Sequence, residues 1–278
     1  MKAKRLFILM ILVLASSLAM GQDVDNLHQV FGPITAVHPR GLLHHYRMEA
    51  SGRRPEIDYW LYHPEEGVVQ TLFDASSIDG SGYQLASYEL DYEQWEFSRM
   101  HSQILGTLGP GQWRTRSYQR DRENHSLRIA LSFEESAPRE TLVYREDIHY
   151  SPTVRQDDWG LYFSLFFRHL NPEALPFSLV YDAFGHPIFM KVSYEGEEVV
   201  NGIPSLKYRV FGEGLWSALV GQGGYVWISK DDEFPRMVKH SMKIGLSWNM
   251  RRLEMNLVGS RQISPEEWRE MGERALVH

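Results

Sequence analysis

The chain of 278 residues contains no cysteine. That absence excludes disulfides, thiolate metal sites, a cysteine nucleophile and a lipid-modified N-terminal cysteine. Long hydrophobic runs are nearly absent too. The one unbroken run, Leu6 to Ala15, is about ten residues, roughly 15 Å as a helix, against the ~20 residues a bilayer span needs. No later stretch approaches that length without charges, so no transmembrane segment is expected in the mature chain. Catalytic signatures are missing as well. There is no Gly-x-Ser-x-Gly elbow for a serine nucleophile and no His-Glu-x-x-His spacing for a metal.

What is there begins with an address. Met1-Lys2-Ala3-Lys4-Arg5 is a basic n-region, Leu6 to Ala15 an apolar core, and Ala19 and Gly21 are small residues placed for cleavage before Gln22. That layout predicts a signal peptide over 1–21 and an exported mature chain from 22 to 278, periplasmic or loosely associated with the outer membrane. Removal of Lys2, Lys4 and Arg5 takes the formal charge from −7 to about −10. So acidic a chain is a poor ligand for nucleic acid, and no nucleic-acid partner is expected. Arginines do occur in Trp113-Arg114-Thr115-Arg116, but with Asp121 and Glu123 nearby they read as a solvated strand face.

From Leu42 to Leu257 the dominant pattern is alternation, the period-two signature of strands with one buried face. Leu127, Ile129, Leu131 and Phe133 alternate with small or charged residues. So do Leu42, His44, Tyr46 and Met48, then Trp95 and Phe97, then Leu206, Tyr208 and Val210, then Leu253, Met255 and Leu257. One-sided alternation of this kind belongs to antiparallel sheet. Asn201-Gly202 between apolar residues marks a tight hairpin, and Gly80-Ser81-Gly82, Gly109-Pro110-Gly111 and Gly221-Gln222-Gly223-Gly224 mark loops. The expected fold is mainly β: about a dozen strands in a large curled antiparallel sheet, half-barrel or barrel-like. A single β-rich domain over 22–278 is expected, with a subdivision, if any, near 150–158.

Two helices interrupt the strands. Asp157 and Asp158 cap a segment that runs to Leu170 and stops at Asn171-Pro172, apolar around almost its whole circumference and therefore buried on most sides. Ser264-Pro265-Glu266-Glu267 is a capping box with proline at the first helical position, opening a short C-terminal helix that lies on the sheet through Trp268.

Candidate ligands and acids favour plain readings. His44 and His45 are adjacent on a strand and point to opposite faces, so with His63 and His38 they form no metal site, and no metal or cofactor is expected. Glu134-Glu135, Glu197-Glu198 and Asp231-Asp232 are sequential pairs at strand ends or loops, where solvated faces outnumber glycan-cleaving acids. Gly221-Gln222-Gly223-Gly224 precedes a strand, which removes a phosphate cradle at a helix start. Eight Trp and fourteen Tyr suit core filling, a sugar-stacking surface or a lipid-lined cavity.

One stretch is more specific. Val192 to Pro204, then Tyr225-Val226-Trp227-Ile228-Ser229-Lys230-Asp231-Asp232, then Met237-Val238-Lys239 and Leu253 to Leu257 resemble a family of exported bacterial proteins of unknown function. Its members are similar to the carriers and receptors that move lipoproteins to the outer membrane. The resemblance covers about 161–258. It implies a curled antiparallel sheet with a helix against it, and no catalytic residues. The resulting expectation is a non-enzymatic envelope protein that binds an acyl chain, a lipoprotein or another envelope component in an apolar groove. Leu161, Phe163, Phe166 and Phe167 of the internal helix are the candidate ligand contacts. An assembly module pairing through a sheet edge and a glycan-active enzyme are the alternatives.

Overall fold

The computed structural model describes residues 39–50, 53–74, 82–91, 96–105, 108, 114–133, 140–145, 153–155, 161, 165, 175–180, 188–212, 223–230, 235–244 and 251–277. Residues 1–21, expected from the sequence to be a signal peptide, lie outside the described residues, as do Trp95, residues 109–111, Phe163, Phe166, Phe167, Glu134-Glu135 and Asp231-Asp232.

The described strands form one sheet of 15. In chain order they are β1 (Leu42–Ala50), β2 (Arg53–Glu65), β3 (Val68–Asp74), β4 (Tyr83–Asp91), β5 (Glu96–Leu105), β6 (Thr115–Asp121), β7 (Ser126–Ser132) and β8 (Glu140–Arg145). There follow β9 (Thr153–Arg155), β10 (Leu175–Val180), β11 (Ile188–Val200), β12 (Ile203–Gly212), β13 (Gly224–Ser229), β14 (Met237–Ile244) and β15 (Arg251–Gln262). A helix, α1 (Pro265–Val277), ends the chain. Strands β8 back to β1 are consecutive antiparallel neighbours, β1 pairs with β15, and β15 back to β10 are again antiparallel neighbours. Only β9 is parallel to its partner, β10.

This order dictates a curl. The strands β8 and β9 are the two edges, so a flat sheet would hold them about 65 Å apart at the usual inter-strand spacing. Yet Arg145 and Thr153 are eight residues apart in the chain, which spans at most about 28 Å. The sheet must therefore wrap until its edges approach each other. No pairing joins β8 to β9 among the described residues, and the barrel stays open at that seam.

The inner face carries the main core. Tyr46, Leu61, Val69, Met100, Ile129 and Leu131 from one half and Val192, Tyr208, Val210, Val226 and Ile228 from the other belong to a single buried cluster. Alternation sorts as the sequence predicts in β7, where Leu127, Ile129 and Leu131 are buried and Arg128 is exposed, and Phe133 packs on the same cluster. It sorts equally in β12, with Leu206, Tyr208 and Val210 buried beside exposed Arg209. In β15 the contrast is weaker, because Met255 and Leu257 are only half-buried at the inner face.

The outer face is covered in two places. Ser264 caps α1, its Oγ accepting from the Glu267 N–H at 3.1 Å. Trp268 of that helix then stacks on Tyr62 with ring centres 5.0 Å apart, above Leu43 and Leu72. Further round, Trp227, Val238 and Val200 make a small cluster of their own. Trp227 thus fills an outer patch, and the main core excludes it.

Turn chemistry holds where it is described. Asn201 (φ 52°) and Gly202 (φ 78°) both adopt positive φ between the paired Val200 and Ile203, as a type I′ hairpin requires. Gly223 (φ 69°) leads into β13, and a Cβ there would stand 1.7 Å from the Val210 carbonyl oxygen. Gly223→Ala is therefore expected to cost at least about 2 kcal/mol in urea unfolding, since it combines a positive φ with a backbone collision. Gly202→Ala should cost less, because nothing lies within 4 Å of a Cβ at that turn.

Candidate functional site

The concave face is apolar over most of its area, and two helical residues sit on it. Leu161 and Leu165 are buried in the main cluster together with side chains of both halves. Of the four ligand contacts expected from the sequence, Leu161 is placed on this inner face, and the three phenylalanines lie outside the described residues.

Polar side chains interrupt the apolar lining along one row. Ser260, His44, Leu61, Thr71, Ala86, Ser102, Arg116 and Leu131 are register partners in turn from β15 to β7. Thr71, Ser102 and Arg116 are buried there, and Gln84 Nε2 donates to Ser102 Oγ at 3.2 Å. Arg116 corrects the solvated-face reading of that segment: it is 3 % exposed and shares the inner face with Tyr118. The small neighbours Ala86 and Ser102 leave room for its long apolar stem. Arg114 is half-buried and donates from Nη1 to the Ile104 carbonyl at 3.0 Å.

The row ends in a polar cluster at one end of the strands. The hydroxyl of Ser260 is 2.7 Å from His44 Nδ1 and accepts from Arg236 Nη1 at 3.3 Å. The ring of His63 stands edge-on to that of His44 at 5.8 Å, and Tyr46 lies 6.3 Å from His44 on the other side. Arg236 is fixed just ahead of β14 by its backbone N–H, which donates to Ser229 Oγ at 3.0 Å. Burial pushes the Tyr46 phenol far above its ordinary value, against the opposing pull of Arg236. As the alternation predicts, His45 points the other way, stacking on Trp60 at 5.4 Å and reaching Asp58 at 2.7 Å.

Elsewhere the charged groups satisfy one another. On the outer face Trp227 Nε1 donates to Glu198 at 3.0 Å, and that bond, helped by Lys207, holds the Glu198 carboxyl below its usual value. Glu197 pairs with Lys230 at 2.7 Å, so this carboxylate pair is engaged in surface contacts. A groove of about 460 Å³ at the ends of β4 to β7 is lined by four arginines and four acids. Within it Arg99 pairs with Glu89 at 3.3 Å and Arg122 with Asp91, leaving no field of one sign. Among the described residues no group of three or more His, Asp or Glu is placed to hold a metal ion, and no helix is long and apolar enough to cross a membrane.

His44, Tyr46 and His63 were visible to sequence reasoning as strand residues. Arg236 and Ser260 were not, because no local signal ties them to a histidine 216 residues away from Ser260.

Comparison by sequence finds no matching protein family and no matching curated protein. Among solved structures, the chain is similar to a β-barrel-like protein of the unknown-function domain DUF1849 from Brucella abortus. That match has 10 % identity and a TM-score of 0.47, and covers 82 % of this chain and 100 % of the other. It is also similar to an outer membrane lipoprotein-sorting protein domain from Vibrio parahaemolyticus, with 10 % identity, a TM-score of 0.20, and coverage of 85 % and 91 %. A LolA superfamily protein from Nitrosomonas europaea matches at 8 % identity and a TM-score of 0.25, over 89 % and 97 % of the two chains. These neighbours are of the kinds that the resemblance in the sequence implies.

Proposed function

We propose that this is a non-enzymatic protein of the bacterial cell envelope, exported to the periplasm, that holds an acyl chain or the lipid part of a lipoprotein against its concave face. One observation carries this reading. Both halves of a sheet whose edges are not paired among the described residues contribute apolar side chains to one inner-face cluster, and Leu161 and Leu165 belong to it. An open, curved apolar wall with a movable cover is a way to take up and release an acyl chain without an aqueous path. The segment of Leu161 and Leu165, read from the sequence as a helix that also carries Phe163, Phe166 and Phe167, serves as that cover, exchanging the contacts of Leu161 and Leu165 with the sheet for contacts between cargo and sheet. The mature chain from 22 to 278 acts as one unit in this scheme.

Native mass spectrometry of the protein released from cells tests the reading directly. The expected spectrum shows a protein mass beginning at Gln22 with a lipid-sized adduct that dissociates on activation. A stoichiometric protein partner would favour the scaffold alternative, and a bare mass would oppose both. Leu165→Ala supplies a second check. Its side chain is 1 % exposed, so truncation should cost about 2–5 kcal/mol, and loosening the cover should speed uptake of a fluorescent fatty acid. Lost stability with no uptake by the wild type would leave the helix as a fixed plug and remove the carrier reading.

A further inference from the structure

The inner face has one end unlike the rest. His44 near the start of β1, His63 near the end of β2, Ser260 near the end of β15 and Arg236 just before β14 converge there around Tyr46. None of these five side chains is an acid. Asp58 of β2 is engaged with His45 and Arg47 on the opposite face of the sheet, and Glu65, two residues beyond His63, is exposed. Tyr46 is wholly buried, and its hydroxyl has no hydrogen-bond partner among the described residues. Leaving a buried hydroxyl unsatisfied is costly, and such a group calls for an explanation such as a missing ligand. This hydroxyl is a donor within the electrostatic reach of Arg236, and Arg236 already extends a guanidinium N–H to Ser260. Hydroxyl and guanidinium donors grouped at the end of an apolar wall match a ligand with a long tail and a negatively charged end.

We propose that this pole receives the anionic head, carboxylate or phosphate, of a single-chain amphiphile whose acyl tail lies along the apolar inner face. The assignment rests on the acyl-binding reading above and adds polarity to it. Tyr46 donates its free O–H to a head-group oxygen, Arg236 neutralises the charge, and Ser260 holds Arg236 in place. The tail then points from the pole toward Met48 and Met255, which are register partners further along β1 and β15.

Calorimetric titration of the mature protein with oleate, 1-oleoyl lysophosphatidic acid and oleyl alcohol, each below its aggregation limit, tests this. At least one anionic ligand is expected to bind tenfold or more tightly than the alcohol, and the better of the two identifies the head. Tyr46→Phe removes no existing hydrogen bond, so it should keep the fold and the alcohol affinity while reducing the anionic preference fivefold or more. Arg236→Gln should abolish that preference. Equal affinity for all three ligands, or an anionic preference unchanged in both variants, would overturn the head-group assignment and leave acyl binding standing. Binding of none of the three would overturn both.

Discussion

Ile129→Asp is expected to abolish folding of the whole sheet. Ile129 is completely buried, and its register partners on the inner face are Tyr118 of β6 and Leu142 of β8. Truncating such a residue alone costs a few kcal/mol. An aspartate there also places a carboxylate among apolar side chains, which costs several kcal/mol more whether it stays charged or takes up a proton. The sum reaches the roughly 5–15 kcal/mol that holds a typical domain together. The strand has no cheaper register to retreat to, because a slip of one residue would carry Leu127 and Leu131 to solvent as well. Arg128→Gln on the exposed side of the same strand should change stability by no more than about 0.5 kcal/mol. Circular dichroism and urea titration of both variants make the comparison. A cooperative transition near the wild-type midpoint for Ile129→Asp would show that β7 does not bury this face.

Acid should destabilise the protein through His240 before the carboxylates titrate. Burial holds this imidazole at about 3, far below the ordinary 6.5, because its charged form would lose its hydration. Its register partners, Val226 on β13 and Met255 on β15, are both apolar. The unfolded chain binds a proton here as pH falls below 6.5, and the folded chain does so only near 3. Stability from this group is thus fully present above pH 6.5 and is lost progressively between pH 6.5 and 3. At about 1.4 kcal/mol per pH unit inside that window, the loss amounts to several kcal/mol. His240→Leu should remove one proton from the pH dependence, so its melting temperature falls less between pH 6.5 and 4.5 than that of the wild type. Parallel curves for the two proteins would mean that His240 is protonated in the fold.

Much of the fold was legible because its signals are local. The alternation in Leu127 to Phe133 and Leu206 to Val210, the Asn201-Gly202 turn and the Ser264 capping box each express a preference set by a handful of neighbouring residues. The opposite orientations of His44 and His45 follow from the pleat alone. Arg116 was misread for an equally plain reason. A charge in a strand is solvated by default, and only the small cross-strand partner Ser102, with Ala86 beyond it, makes an inner position available to it. The outer placement of Trp227 was hidden as well. Every residue from Val226 to Ser229 is buried, so the sequence there carries no alternation from which to read a face.

Sequence by itself determined that this protein is a cysteine-free chain of antiparallel strands with one apolar face and a capped C-terminal helix. Those features depend on composition and on spacings of a few residues. Only the tertiary structure decided that β1 joins β15, that the connection from Arg145 to Thr153 forces the sheet to curl, and that His44 meets Ser260 and Arg236 at one end of the concave face. Hydrogen bonding between strands is indifferent to sequence, so pairing across more than 200 residues is chosen by the closure of the whole sheet around its shared core.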